Sequence, residues 1–320
     1  MTIGHDGGQR HDHSADAAAR AMASLGAPPP APESGIPRGF RAGHTLSVRV
    51  ELMRQLRRRR TQLSLGFMVV LPLILLLAFS IGGTSGGGNG GGNGGGSGTS
   101  YVDLATAGAS NFAMVALFFS ASFLVIVVIS LFFGDTIASE ASWSSLRYLL
   151  AMPVPRMRLL RQKILVAGLL SLAALVLLTV TAYVVGLIAY GTGPLSTPIG
   201  DNFSTGSGLI RIAVVVGYLA VQLTWVAGLA FLLSVVTDAP LGAVGGAVLV
   251  SILSQILDQI AALKSVRLWL PTHYGTAWTG ALVEPIRWDD MVRGAFSGLM
   301  YAVIFVAVAA LRFRRKDITS

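Results

Sequence analysis

Six long apolar stretches, nearly free of charged residues, constrain the fold of this chain more than any other feature of its sequence. Because the hydrocarbon core of a bilayer is about 30 Å thick, a helix needs about 20 apolar residues to cross it. Backbone groups in lipid must also be hydrogen-bonded within the element itself, which favours helices. Only 12% of the residues are charged, about half the fraction usual in soluble domains. We therefore predict an all-α integral membrane protein with six transmembrane helices, at about 63–81, 111–133, 164–190, 210–236, 241–260 and 294–311.

Basic residues flank the apolar stretches unevenly and indicate their orientation. With the N-terminus inside, six Lys or Arg residues in 45–62, five in 134–163 and four after residue 311 fall on the cytoplasmic side. The loop 261–293 is the exception, since its four basic residues would lie outside. This distribution predicts that both termini are cytoplasmic. It also places much of the net charge of +9 at the membrane rim, so we predict membrane lipid, and no nucleic acid, as a partner of the basic residues.

Two segments precede the first apolar stretch. Residues 1–44 contain almost no large apolar side chains, which predicts a disordered cytoplasmic tail. Within 45–62, apolar residues recur at three- and four-residue spacing among arginines, and this pattern predicts an amphipathic helix lying in the membrane surface. The alternative is a solvated run of charges that only sets the topology. The remaining residues, 63–320, are then the six-span domain.

Residue types that carry chemistry are scarce. The chain has no cysteine, and it contains neither a phosphate-binding loop of the Gly-x-x-x-x-Gly-Lys-Ser/Thr type nor a His-Glu-x-x-His zinc motif. The histidines of the tail, His5, His11 and His13, are not assigned to a metal, because a flexible segment holds ligands poorly. We therefore predict no catalytic, cofactor-binding or metal-binding residues and no enzymatic activity of the chain's own.

A short polar stripe near the end of the fifth apolar stretch is the first candidate site. Ser251, Gln255, Asp258 and Gln259 are spaced so that they share one face of a helix. Ionisable residues inside membranes usually mark substrate or ion pathways, so the stripe is a possible translocation path. The alternative is a helix end that becomes polar where it meets water.

The loop between the second and third apolar stretches is the second candidate site. Its acidic start, at Asp135 and Glu140, suits the first turns of a helix. Pro153 and Pro155 predict that this helix ends before them. A short helix over 137–151 is thus expected to project below the membrane.

Three groups of residues, taken in order, carry a resemblance to a known family. They are Glu140, Pro153, Arg156 and Lys163 in this loop, then Leu270, Pro271, Thr272, His273, Tyr274, Trp278 and Trp288 after the fifth stretch, and finally Phe313, Arg314, Arg315, Lys316 and Asp317. Together with the basic helix before the first span, they resemble the type-2 family of ATP-binding-cassette transporter permeases, over about 45–318. In that family the loop begins with a Glu, runs through a short helix and ends in a Pro-x-x-Arg-like stretch before a Lys.

The resemblance implies both a partner and a function. In that family the loop helix docks onto a nucleotide-binding ATPase subunit, which implies ATPase-coupling roles for four residues of the loop. These are Glu140, Arg147, Pro153 and Arg156, with Glu140 and Arg147 placed where a partner's charges could reach them. A second copy of the permease or a related permease completes the transporter, and ATP with magnesium binds to the ATPase chains.

The function expected from this resemblance is that of the permease subunit of an ATP-driven exporter in the plasma membrane of a prokaryote. Its substrate would be lipophilic or amphiphilic. The alternative is a non-transport membrane protein, such as an assembly factor or a scaffold, because the chain carries so little chemistry. For the loop itself, the alternative is an ordinary amphipathic connector.

Overall fold

The computed structural model describes residues 48–84, 101–142, 156–197, 201–237 and 239–315. The predicted tail 1–44 lies outside these residues, and so do Arg147 and Pro153 of the predicted coupling helix. Nearly all regular structure in the described chain is helical. This is the expected result for long apolar segments that must satisfy their own backbone groups.

Ten α-helices and one short antiparallel strand pair follow one another in the described residues. The first helices are α1 (Val48–Leu56), α2 (Arg59–Thr84), α3 (Tyr101–Thr106), α4 (Ala109–Ala121), α5 (Leu124–Ser142) and α6 (Arg156–Tyr190). Strand β1 (Leu195–Ser196) pairs with β2 (Asn202–Phe203) before α7 (Thr205–Gln222), α8 (Thr224–Val236) and α9 (Pro240–Gln259). Two 3₁₀ helices, Ala261–Trp269 and Ala277–Leu282, then precede α10 (Asp289–Arg315).

Five helical stretches in the described chain are long and apolar enough to cross a membrane. They are Arg59–Ile81, Met157–Tyr190, Thr205–Val236, Pro240–Gln259 and Asp289–Arg315. The pair α4 and α5 meets the same test when its two helices are taken together, although they are bent by 57° where they join. These features are those of an all-α membrane protein.

The second predicted span, 111–133, is not one continuous helix. It is divided at Ser122 and Phe123 into α4 and α5. Apolar residues continue through this junction, so hydropathy contains no sign of it. The helix predicted over 137–151 also does not start at residue 137, because residues 137–142 are the last turns of α5.

Several helices begin earlier or end earlier than their apolar patterns predicted. Helix α1 ends at Leu56, and Arg59 already begins α2, so the helix predicted over 45–62 is shorter than expected. Helix α10 begins at Asp289, within the predicted loop 261–293. Acidic residues in a first turn stabilise a helix N-terminus, and α10 therefore extends beyond its apolar part.

Helix α5 joins two groups of packed helices. Helix α8 packs against α5, α9 and α10, while α6 packs against α2, α4 and α5. Small residues allow the helices to approach closely. A Cβ atom on Gly228 would lie 2.9 Å from the Cα atom of Ala302, and one on Gly134 would lie 2.8 Å from a methyl group of Val244. These two contacts fix α8 against α10 and α5 against α9.

The ends of the helices gather at two sides of the molecule. At the first, which we call the basic end, the hydroxyl oxygen of Ser234 accepts hydrogen bonds from the backbone N–H groups of Ile137 and Ala138, both at 3.0 Å. At the second, the loop end, the N–H group of Ala109 donates to the carbonyl oxygen of Gly191 at 3.0 Å. The strand pair and the two 3₁₀ helices belong to the loop end.

Candidate functional site

Charged side chains from three helices meet at the basic end. Glu140, near the end of α5, and Lys163, near the start of α6, each have only 4% of their side chain exposed. The Lys163 Nζ and Glu140 Oε1 atoms lie 2.6 Å apart. Nη2 of Arg54, in α1, donates to the same carboxylate oxygen at 2.9 Å. Glu140 therefore holds two cations that belong to two different helices.

A second carboxylate, from Glu51 of α1, completes this ionic cluster. It contacts Arg54 Nε at 3.2 Å and Lys163 Nζ at 3.6 Å. Two carboxylates thus face two cations, and such pairing is the condition under which buried charges are tolerated. We refer to Glu51, Arg54, Glu140 and Lys163 as the ionic cluster. It fastens α1, α5 and α6 to one another at the basic end.

A more exposed group of ion pairs lies beside the ionic cluster. The Asp135 carboxylate contacts Arg60 Nη1 at 2.9 Å and Arg58 Nη1 at 3.3 Å. The Arg60 side chain is 62% exposed, so its attraction to Asp135 is screened by water and salt. These contacts join the chain around the start of α2 to α5.

The ionic cluster changes the interpretation of Glu140. The sequence predicted that this residue is within reach of a partner's charges, but its side chain is buried and already bonded to Lys163 and Arg54. That expected exposure is wrong, because α5 continues to Ser142 and turns Glu140 toward α1 and α6. Arg156 is the first residue of α6. Roles of these residues in ATPase coupling remain predictions.

A cavity of about 170 Å³ lies at the loop end. There the break between α4 and α5 and the break between α7 and α8 meet α9 and the turns after the first 3₁₀ helix. Its apolar walls include Leu219, Leu223 and Trp225. The polar residues that line it are Ser122, Gln222, Gln255, Asp258, Gln259, Thr272, His273 and Thr276. The cavity is therefore amphiphilic.

Three of the four residues in the predicted polar stripe line this cavity. Gln255, Asp258 and Gln259 do so, as their shared helix face predicts. Ser251 does not: it is fully buried, and its hydroxyl group donates to the carbonyl oxygen of Ala247 at 2.8 Å. Whether the stripe forms part of a translocation path remains a prediction.

Asp258 is the carboxylate of the cavity, and it is paired with groups from the following loop. Its Oδ1 atom lies 2.7 Å from Nδ1 of His273 and 3.4 Å from Nε of Arg267. The amide nitrogen of Gln222 donates to the Pro271 carbonyl oxygen at 2.9 Å. These bonds tie the loop after α9 to both α9 and α7, so that it forms one wall of the cavity.

Both helix interruptions place polar groups at the cavity. The Ser122 carbonyl oxygen, at the junction of α4 and α5, accepts a hydrogen bond from Gln255 Nε2 at 3.0 Å. The second interruption, at Leu223, lies between α7 and α8, and the buried side chains of Gln222 and Trp225 stand on either side of it. The indole N–H group of Trp225 has no hydrogen-bond acceptor among the described residues.

Sequence reasoning missed Arg211, which organises the loop end. This buried residue of α7 donates to the carbonyl oxygens of Ala281 and Val283, at 2.5 and 2.9 Å, and pairs with the Glu284 carboxylate. Its guanidinium carbon also lies 3.7 Å from the centre of the Phe203 ring, which is a cation–π contact. A lone Arg within an apolar stretch costs free energy and is usually kept for a role, and that signal could have identified Arg211.

The described residues contain no group of three or more His, Asp or Glu side chains arranged to hold a metal ion.

In comparisons with known proteins, the model of a family described as Protein of unknown function (DUF2705) matches residues 74–319, which is most of the chain. Curated proteins gave no match to the sequence.

Proposed function

Because the chain belongs to the DUF2705 family, whose description assigns no activity, we propose from the structure that it is the membrane-spanning permease subunit of an ATP-driven exporter. A separate ATPase chain binds ATP and magnesium and supplies the energy. The substrate is lipophilic or amphiphilic, and a second copy of the chain or a related permease completes the pathway. The proposal starts from the resemblance of the sequence to type-2 ATP-binding-cassette permeases.

The proposed topology has six spans, with the bent pair α4 and α5 counted as one. On this arrangement the basic end is cytoplasmic, the loop end is external, and both termini lie in the cytoplasm. Helix α1 then lies at the inner surface of the membrane. Two of its apolar residues support this placement, since the side chains of Val50 and Met53 are exposed next to the arginines of the same helix.

The observation that carries the proposal is the bond between Glu140 and Lys163. These residues stand on either side of the segment 143–155, one at the end of α5 and the other near the start of α6. A force applied to this segment by a partner would therefore reach both helices together, and Arg54 would pass it to α1 as well. Coupling between sites needs such a contiguous physical connection.

Helix α5 extends this connection toward the loop end. It begins at Leu124, directly after the interruption whose Ser122 carbonyl group is bonded to Gln255 in the cavity wall. Along its length it is held against α9 by the close contact between Gly134 and Val244. A movement of the basic end of α5 would thus be transmitted to the cavity.

Purification of the tagged full-length chain from its native membranes tests the proposal. We expect an ATPase chain to be retained in stoichiometric amount, and its turnover to rise when a lipophilic compound is added. Glu140→Lys, which would bring a third cation to Lys163 and Arg54, should weaken both retention and efflux from vesicles. Purification without any ATPase, together with unchanged efflux in the variant, would favour the scaffold or assembly function instead.

A further inference from the structure

We infer that the loop-end cavity binds the head group of an amphiphile, and that this head group is a neutral ring bearing several hydroxyl groups, such as a sugar. The inference rests on the proposed function in one respect, namely that the bound amphiphile is the exported substrate. The binding site itself follows from the size of the cavity and from its hydrogen-bonding groups.

The cavity has the size of a single ring. Its volume of about 170 Å³ is close to that of an engineered protein cavity of about 150 Å³ that holds one benzene molecule. One six-membered ring therefore fits inside the cavity. Leu219, Leu223 and Trp225 supply apolar walls for the faces of such a ring.

The first requirement that the cavity places on a ligand is hydrogen-bond donors, because several of its own polar groups are acceptors. The side-chain nitrogen atoms of Gln222 and Gln255 are both bonded to backbone carbonyl oxygens, of Pro271 and Ser122. A carbonyl oxygen can only accept, so the orientation of both amides is determined, and their oxygen atoms are left for other partners. With the Asp258 carboxylate, the cavity thus offers three acceptor groups to a ligand that can donate.

The indole of Trp225 adds the opposite requirement. It lines the same cavity, and its N–H group is buried without an acceptor among the described residues. In the present conformation this N–H group is closed off from the cavity, so the indole must turn slightly before a ligand can reach it. A buried N–H group without an acceptor is unfavourable, so a ligand that can then accept a hydrogen bond is favoured. A hydroxyl group both donates and accepts, whereas an ammonium group only donates and a phosphate diester only accepts.

Exposed aromatic side chains beside the cavity suit the apolar part of the same molecule. Phe123, at the junction of α4 and α5, is 57% exposed, and Phe119 lies one turn before it in α4. Phe123 directly follows Ser122, which lines the cavity, and Phe119 lies three residues before Ser122. A head group in the cavity would therefore place its alkyl chain against these rings.

Binding of three amphiphiles with the same tail tests the inference. The full-length chain in phosphatidylcholine nanodiscs is titrated with labelled dodecyl glucoside, dodecylammonium or dodecyl phosphocholine, and binding to empty nanodiscs is subtracted. We expect dodecyl glucoside to bind at least about tenfold more tightly than the other two, because only its head group satisfies both kinds of partner. Equal affinities, or tightest binding of dodecylammonium or of dodecyl phosphocholine, would overturn the assignment.

Substitutions locate the binding site. Trp225→Phe removes the N–H group, and Gln222→Leu removes the amide oxygen together with the bond to the Pro271 carbonyl group. Each should weaken dodecyl glucoside binding by about three- to tenfold. Trp278→Phe is the matched control, since Trp278 is also buried but does not line the cavity. If Trp278→Phe weakens binding as much as Trp225→Phe, the site lies elsewhere and the inference is wrong.

Retention of an ATPase separates this inference from the proposed function. Preferential glucoside binding without a co-purified ATPase would support the cavity as a binding site and count against the exporter. A co-purified ATPase without preferential glucoside binding would support the exporter and overturn the inference about the head group.

Discussion

Glu140→Gln removes one charge from the ionic cluster while nearly preserving the shape of the side chain. Lys163 would then be buried with Glu51 as its remaining carboxylate in the cluster, at 3.6 Å, and Arg54 would lose a charged partner at 2.9 Å. Removing one member of a buried ion pair typically costs about 3–5 kcal/mol. Because Glu51 remains, we expect the lower limit, about 3 kcal/mol.

A double variant that combines Glu140→Gln with Lys163→Met also removes the cation that Glu140→Gln alone leaves without its closest partner. Replacing both members of a buried pair is often nearly neutral. The double variant should therefore be more stable than the sum of the two single effects predicts, by about 1–3 kcal/mol. The measurement is the free energy of unfolding in mixed micelles for the wild type, both single variants and the double variant.

Asp103→Asn is the control for the charge change. Asp103 is an exposed acid in α3, and its neutralisation should change the stability by less than about 0.5 kcal/mol. High salt should also leave the coupling between Glu140 and Lys163 almost unchanged, since both side chains are buried. Additive single effects, or a Glu140→Gln variant as stable as the control, would refute the view that this cluster fastens the basic end.

Three further predictions concern the loop end, helix packing and topology. Arg211→Met should cost about 2–5 kcal/mol and speed amide hydrogen exchange in the second 3₁₀ helix, because its backbone carbonyl partners are left unpaired. Gly228→Ala should destabilise the fold by about 1–3 kcal/mol, since its Cβ atom would lie 2.9 Å from Ala302. Gly245→Ala, which meets nothing within 4 Å, should instead stabilise α9 by up to about 1 kcal/mol in the same unfolding assay. In the cysteine-free chain, Ser265→Cys should react with an impermeant reagent in intact cells, and labelling only after the inner face is opened would contradict the proposed topology.

Hydropathy predicted most of the fold, because crossing a membrane demands long apolar helices and little else. Five of the six predicted stretches correspond to α2, α6, α7 with α8, α9 and α10. It could not predict the junction at Ser122 and Phe123, where apolar residues continue but the helix axis bends by 57°. That bend depends on contacts with other helices, such as the bond from Gln255, which hydropathy does not contain.

The candidate sites were predictable only in part, for a similar reason. Helical spacing correctly placed Gln255, Asp258 and Gln259 on one face, since that spacing is a local property. The pairing of Asp258 with His273 depends on how the loop after α9 folds back. The burial of Glu140 likewise depends on α1 and α6, which lie far from it in the sequence.

The length of α6 has a consequence for where a partner would meet this protein. Its 35 residues span about 52 Å at 1.5 Å each, whereas the hydrocarbon core of a bilayer measures about 30 Å. Tyr190 ends the helix, and tyrosine favours the boundary between lipid and water, so most of the surplus, about 20 Å, falls at the other terminus. The first turns of α6 would then stand in the aqueous phase beyond the lipid head groups. A partner could dock there as a water-soluble protein, with no apolar surface of its own for the membrane.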